Sequence, residues 1–400
     1  MQQIVDIYVD KNDHVWIINR HTDARPDELG AATNPPRAEC CVKGPEIIEF
    51  DQDGNVVKAW GDDNYAPGWP GRLQTFGIDR NLNVWVSGTM PGDGIVKFNH
   101  DGKLIGDFGH RGPKVPANQV KQNNQQTDIF PPGIGAFQFD EDAHEIYIAD
   151  GFLNKRVLVY DMDTFAFKRG WGGHGIPLSE IDNDPTPDYD ISGPPPDQKQ
   201  FAPALHCAHP SNDGFVYVCE RGSDRIQVFT KQGKFVMSIW VHPTTQSRGP
   251  NCGSIWDMKN PPCGTIYNLA LSTDKEQRYL FAADGTNNTV WIEPLEVVVE
   301  AAHDPYAEAD LNVYRAAFGL PPCTTANGCF KQVNQLGQTG SYPPSDPGWA
   351  VETSLDLDMV SAVCPNCRIL LVEAPNTIAD INQAEDTASS AKVVSNSFGT

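Results

Sequence analysis

Long hydrophobic runs are missing from this sequence. No stretch reaches the roughly 18 consecutive apolar residues that a membrane-spanning helix requires, so no helical span is expected. The amino-terminal Met1-Gln2-Gln3-Ile4-Val5 has neither the basic start nor the extended apolar core of a secretory leader, and enters a strand-like pattern at once. That fits a cytosolic protein, or one whose leader and first strands lie outside this chain. Basic residues are also scarce. The 400 residues hold 30 lysines and arginines against 52 acids, a formal net charge of −22. A surface of that sign repels phosphate backbones, so nucleic acid is excluded as an expected partner. Apolar residues are not scarce. At 40% of the chain they supply a core and exclude wholesale disorder, and the length leaves room for two or three domains.

Cysteine is present in an even number, ten, mostly in loops rich in turn residues, which suggests an oxidising compartment, extracellular or periplasmic. Cys252/Cys263, Cys323/Cys329 and Cys364/Cys367 are closely spaced and could each close a short loop. Cys207 and Cys219 flank one strand and its neighbour, whereas the adjacent Cys40 and Cys41 are not expected to bridge each other. The rival is a zinc site of Cys323, Cys329, Cys364 and Cys367. Disulfides are favoured over it because five residues separate Cys323 from Cys329, wider than the usual zinc spacing of about two to four.

One unit recurs along the first 290 or so residues: an apolar strand, a polar turn, an aromatic-rich strand, then a second hairpin often closed by a D/N-x-x-G turn. The first copy runs through Ile4–Asp10, Val15–Ile18 and Ile47–Val57; the second through Phe76–Val86 and Ile95–Leu104. The third contains Ala136–Phe139, Ile146–Asp150 and Arg156–Asp161; the fourth, Phe215–Val218 and Arg225–Phe235. The fifth has Ile266–Leu271, Tyr279–Asp284 and Val290–Ile292, and lacks a last strand. Four short strands per unit with period-2 alternation predict propeller blades, since no unit can bury both faces alone and stacking around an axis supplies the core. A β-sandwich, the alternative, needs no such repeated hairpin.

At Glu293 the character changes. Ala307–Phe318 has helical apolar spacing ending at Gly319, and Trp349–Val363 is a second helix stopped by Pro365. Arg368–Glu373 reads as a buried strand, Ile378–Ser390 as helix and Lys392–Asn396 as strand. Alternation of this kind predicts a parallel α/β sheet.

The segments Val15–Arg20, Ala149–Arg156, Leu205-His206-Cys207 and Val218–Phe229 resemble the NHL-repeat family, and within it proteins similar to peptidyl-α-hydroxyglycine amidating lyase. The resemblance covers residues 1 to 292. It implies an NHL-type β-propeller of about five blades, incomplete, and says less of activity, since one fold hosts many functions. That lyase holds zinc on inner-strand histidines of different blades. His206 matches one ligand, but the equivalent position in the second blade is Phe76, the blade for the third is absent, and the lyase's tyrosine is Phe152. Arg20 and Arg221 match positions lining its pocket. Zinc at the propeller is therefore not expected, and His206 reads as a structural inner-strand residue. His206 and His209, three apart, make no obvious metal pair in an extended strand. The plainer expectation is a scaffold that binds a protein, peptide or glycan.

In the second helix Glu352 and Asp356 stand four residues apart, one turn, and so share a face. Two solvated acids would mean nothing. Buried together, one would keep its proton to higher pH, which suits a carboxylate acting as a base in acid. Around them, Asp304-Pro305, Ala309-Asp310-Leu311, Tyr314-Arg315, Phe318–Pro321, Cys323 to Cys329, Trp349, Leu355–Asp358, Cys364–Cys367 and Val393–Gly399 resemble the start of a sedolisin-type (S53) serine-carboxyl peptidase domain. The resemblance implies a subtilisin-like α/β fold. It makes Glu352 the general base toward a serine nucleophile and Asp356 the residue that orients Glu352, as the third member does in a serine triad. The chain departs from the family in several ways. Glu300 and His303 stand where the pattern tends to read Asp and Asp or Asn; no prodomain separates the two parts; and the family's oxyanion aspartate and Gly-Thr-Ser nucleophile segment do not occur. Calcium is expected only of a complete domain of that family. The expected organisation is a propeller over residues 1–293 and the opening part of a peptidase-like domain over 294–400, with a protein or peptide substrate implied and no hydrolysis by this chain itself. The abrupt change at Glu293 would equally follow from an artificial join of two genes.

Overall fold

The computed structural model describes the chain except residues 1–2, 131–133, 185–197, 213, 250–251, 253–262, 274–276, 278, 294, 364–366, 389–392 and 397–400. Its first part consists of successive antiparallel meanders. Blade 1 is β1 (Gln3–Val9), β2 (Val15–Arg20), β3 (Ile47–Phe50) and β4 (Val56–Trp60). Blade 2 is β5 (Leu73–Ile78), β6 (Val84–Gly88), β7 (Ile95–Phe98) and β8 (Leu104–Gly109). Blade 3 is β9 (Phe137–Asp140), β10 (Glu145–Asp150), β11 (Arg156–Asp161) and β12 (Phe167–Trp171). Blade 4 is β13 (Leu205–Pro210), β14 (Phe215–Glu220), β15 (Arg225–Thr230) and β16 (Phe235–Trp240). Blade 5 has three strands, β17 (Ile266–Leu271), β18 (Leu280–Asp284) and β19 (Thr289–Glu293).

Each blade pairs its strands in chain order, and the core lies between blades rather than within them. Trp16 and Ile47 of blade 1 pack on Phe76 and Val86 of blade 2. Trp85 of blade 2 packs on Phe137 and Ile148 of blade 3, and Tyr147 and Val157 of blade 3 on Leu205 and Val218 of blade 4. Cys207, Tyr217 and Ile226 of blade 4 meet Ile266 and Leu280 of blade 5. At about 1.5–3 kcal/mol per fully buried large apolar side chain, these seams hold the blades together. The sequence repeats because each blade reuses local devices. Asp10 accepts hydrogen bonds from the Asn12 and His14 amides and from Trp16 Nε1 (2.9 Å), and Asp79 does the same for Asn81, Asn83 and Trp85 Nε1 (3.0 Å). This side chain replaces backbone partners in a tight turn while pinning the following tryptophan into the seam. In blades 3 and 4 the hairpin joining the second and third strands is closed by a fully buried ion pair: Arg156–Asp150 at 2.7 Å and Arg225–Glu220 at 2.6 Å.

The second part begins at β20 (Leu295–Ala301), which follows β19 after the single residue 294. It continues through α1 (Ala307–Ala317), β21 (Phe330–Asn334), α2 (Pro347–Val363), β22 (Arg368–Ala374), α3 (Ile378–Ala388) and β23 (Val393–Asn396). The four strands form one sheet in the order β21-β22-β20-β23 and every pairing is parallel. Leu311 of α1, Leu357 and Val360 of α2, and Phe330, Ile369 and Leu371 of the sheet form its core.

Cys207 and Cys219 are bonded and sit directly opposite each other on β13 and β14. Cys252–Cys263 and Cys323–Cys329 are also bonded. With the last two sulfurs joined, the four-thiolate zinc alternative is excluded. Cys367 is likewise in a disulfide, and Cys364 lies outside the described residues. One expectation is corrected: Cys40 and Cys41 do bridge. The expectation rested on their adjacency alone, with the two Cα atoms 3.1 Å apart in the structure. No described helix is long and apolar enough to cross a membrane.

Candidate active site

The helix carrying the carboxylate pair is set by its start. Asp346 Oδ1 accepts from the Gly348 and Trp349 amides (2.8 and 3.1 Å), with Pro347 supplying a first position that needs no donor. From that start α2 turns Thr353, Asp356, Leu357 and Val360 inward and leaves Val351, Leu355 and Met359 exposed. Asp356 is buried and Glu352, one turn earlier, is half-buried.

Beneath Asp356 lies Glu300, near the carboxyl end of β20 and fully buried. Among the described residues, neither oxygen of Glu300 meets an N–H or hydroxyl donor. The group that faces it is the Asp356 carboxyl, and two carboxyls bond only through a proton that one of them keeps. Burial, that shared hydrogen bond and the charges of Asp356, Glu352 and Glu373 push Glu300 up to about 9, so it is the proton holder at neutral pH. Three carboxyls thus run from the sheet interior to the helix face: Glu300, Asp356, Glu352.

Glu373 is level with Glu300 on the adjacent strand β22. It accepts from the Asp304 amide (2.7 Å), His303 Nδ1 (2.7 Å) and Gln332 Nε2 (2.9 Å). His303 stacks on Tyr342 with ring centroids 4.5 Å apart. These groups gather at the carboxyl ends of parallel strands, the edge at which open α/β sheets place their ligands.

The propeller residues separate into two places. His206 Nδ1 lies 3.1 Å from the Tyr267 carbonyl oxygen and Nε2 lies 3.3 Å from Arg221 Nη1, while Arg221 covers the Tyr267 ring and Phe152 abuts the imidazole edge-on. Burial, with the Arg221 charge, depresses the histidine to about 3, so it is neutral. Its Nδ1 proton goes to the carbonyl and its Nε2 lone pair to a guanidinium. A metal ligand needs that lone pair free and no cation beside it, so these residues do not fit zinc. Arg20 is elsewhere, bonding the Leu73 carbonyl (2.6 Å), Gln74 (2.5 Å) and Asp23 (3.2 Å) where blade 1 meets blade 2.

Spacing alone puts Glu352 and Asp356 on one face, whereas Glu300 shows in the sequence only as a departure from the family pattern. Nothing local marks Glu300 as their neighbour; the parallel crossover that lays α2 over β20 does.

No protein-family model matches the chain. It is 25% identical over 213 residues to NHL repeat-containing protein 3 of Mus musculus, covering 52% of this chain and 51% of that protein. The Homo sapiens protein of that name is 24% identical over the same coverage. The chain spans about half the length of the curated relatives it matches. Among solved structures it is similar to virginiamycin B lyase from Staphylococcus aureus, with TM-score 0.38, 11% identity, and 72% of this chain and 66% of that chain covered. It is also similar to Pseudomonas sedolisin, a serine-carboxyl proteinase, with TM-score 0.23, 21% identity, and 26% of this chain and 29% of that chain covered. Neither structural likeness bears on activity. The blades described above and the relatives together make the first part of this chain a five-blade β-propeller similar to NHL repeat-containing proteins.

Proposed function

We propose that residues 294–400 carry the base-bearing half of a serine-carboxyl endopeptidase site acting on protein or peptide. The observation that supports this reading is the succession Glu300, Asp356, Glu352. A proton held between Glu300 and Asp356 leaves one fewer negative charge beside Glu352. Glu352, the most exposed of the three, is then free to take a proton from a serine hydroxyl, with Asp356 orienting it. The nucleophile would come from a Gly-Thr-Ser segment, which these 400 residues do not contain. The test is hydrolysis of an unfolded protein at about pH 3–5, where carboxylates serve as bases. The chain alone gives no turnover; a contiguous gene product reaching the serine segment turns over and loses activity on Glu352→Gln. Turnover by the 400-residue chain that Glu352→Gln abolishes would contradict this placement of the nucleophile. The disulfides fit an oxidising setting, extracellular or periplasmic.

A second reading concerns residues 1–293 as a platform for protein, peptide or carbohydrate. It is favoured by a cavity of about 600 Å³ on blade 1, lined by Trp60, Tyr65, Asp62, Asp63, His21 and Lys43. Trp60 and Tyr65 stack with centroids 5.4 Å apart. Aromatic faces edged by acids suit sugar rings and cationic side chains. Glycan arrays and peptide pull-downs that remain silent for the chain, or are unchanged by Trp60→Ala, would count against it.

A further inference from the structure

Blades 1 and 2 use the same turn with one informative difference. In blade 2, Asp79 is followed four residues later by Asn83 and six later by Trp85, and Trp85 stands opposite Lys97. Asn83 bonds back to Asp79 (2.9 Å), and Lys97 Nζ lies 3.1 Å from the Asp79 carboxylate, so a cation closes the hairpin. In blade 1 the same positions are Asp10, His14 and Trp16, and Trp16 stands opposite Glu49. The lysine has become a carboxylate and the asparagine an imidazole. Two buried acids, Asp10 and Glu49, now face the space where blade 2 has an acid and a base.

A second imidazole arrives from the next blade. His100, in the turn between β7 and β8, places Nε2 3.0 and 3.3 Å from the two Glu49 oxygens, while His14 Nδ1 lies 2.7 Å from one of them. The donor atoms of Asp10, His14 and Glu49 all fall within 4.8 Å of one another. Donors on a tetrahedral zinc lie about 3.3 Å apart, given bonds of about 2.0–2.2 Å, so small shifts would bring these groups onto one ion. Glu49 is buried, and the two imidazoles are 27% and 34% exposed, which leaves a path from solvent.

The geometry points to a divalent transition-metal site of the zinc class, with Asp10, His14 and Glu49 as ligands and His100, which already reaches Glu49, as the fourth, joining the turn of blade 1 to that of blade 2. Imidazole donors from His14 and His100 among the carboxylates favour zinc, copper, nickel or iron over calcium and magnesium, which take oxygen ligands. The ion would replace the charge that Lys97 supplies in blade 2. This site is separate from the histidine at His206 and is formed from groups that the carboxyl network does not touch.

The experiment compares the full chain with two variants after stripping with chelator. His14→Asn/Glu49→Lys copies the blade 2 arrangement, so it keeps a closed hairpin without the ligand set. His100→Gln keeps an N–H donor toward Glu49 but no ring nitrogen. At neutral pH and micromolar Zn²⁺, equilibrium dialysis should show the wild-type chain retaining one more ion per chain than either variant. Zn²⁺ should raise the wild-type Tm and leave the Tm of the double variant unmoved. Cu²⁺ should quench Trp16, whose ring is 5.4 Å from that of His100, in the wild type alone. Equal ion retention in wild type and double variant, or no retention by the wild type, would overturn the proposal and leave His14–Glu49–His100 as a hydrogen-bonded junction only.

Discussion

The blade 3 and 4 hairpins and the α/β part bury acids in opposite ways. In the propeller, several buried carboxylates meet cations: Asp150 has Arg156, Glu220 has Arg225, and Glu145 has Arg169 and Lys168 at 2.5 and 2.7 Å. In the α/β part Glu300 faces Asp356, with Glu352 and Glu373 adding charge of the same sign. The first arrangement costs desolvation and offsets part of it through charge-assisted hydrogen bonds, and its consequence is a fixed hairpin. The second recovers nothing from pairing and must hold a proton. Stability alone would not select the second arrangement, and perturbed groups of that kind are what the proposed peptidase site would use.

The largest expected effect lies on the propeller side. Arg156→Ala would strand Asp150 in a fully buried site, costing about 3–5 kcal/mol in urea unfolding. Replacing both partners with apolar residues of similar size should recover most of that loss, and failure to recover it would argue that the pair does more than match charge. Next comes Glu300→Gln. With Glu300 at about 9 in the folded chain and about 4.5 unfolded, the unfolded state releases its proton first as pH rises, so stability is full below about 4.5 and falls toward 9. Gln abolishes that slope and should add on the order of 2–4 kcal/mol at pH 8 to the α/β part.

Glu145 should show the reverse. Burial raises it, but hydrogen bonds from Arg169, Lys168 and Tyr147 prevail and hold it at about 2, so its contribution is present above about 4.5 and lost as pH falls toward 2. Acid therefore weakens the propeller's Glu145 site and relieves the α/β carboxyls, and separate melts of two tryptophan reporters, Trp171 and Trp349, would follow both trends. Removing the Cys207–Cys219 bond should cost about 2–3 kcal/mol for its short loop. The smallest effect is expected at the exposed Arg80–Asp142 pair, where Arg80→Ala should leave the unfolding midpoint unmoved.

Much of the fold was legible because it is local. Alternating runs such as Ile146–Asp150 and turns such as Asp51-Gln52-Asp53-Gly54 announce strands and hairpins wherever they occur, and the three strands that blade 5 shows among the described residues follow from the three such runs in its sequence. The second helix was placed from Trp349, and its true start at Pro347 depends on the Asp346 cap. Contacts made by topology were not legible. Glu300 meets Asp356 across a parallel crossover, Glu373 joins because β22 lies beside β20, and Glu49 meets His100 only because blade 2 follows blade 1 around the propeller. The Cys40–Cys41 bond was missed because adjacency in sequence argues against a bridge.

The proposed site depends on Glu300 holding a proton against Asp356. A carbon-13 titration of the glutamate side-chain carboxyls in the full chain, with Glu300 assigned through Glu300→Gln, tests this directly. The predicted result is a midpoint near 9 that drops when Asp356→Asn removes the facing charge. A midpoint at the ordinary value of about 4.5, unchanged by Asp356→Asn, would contradict it.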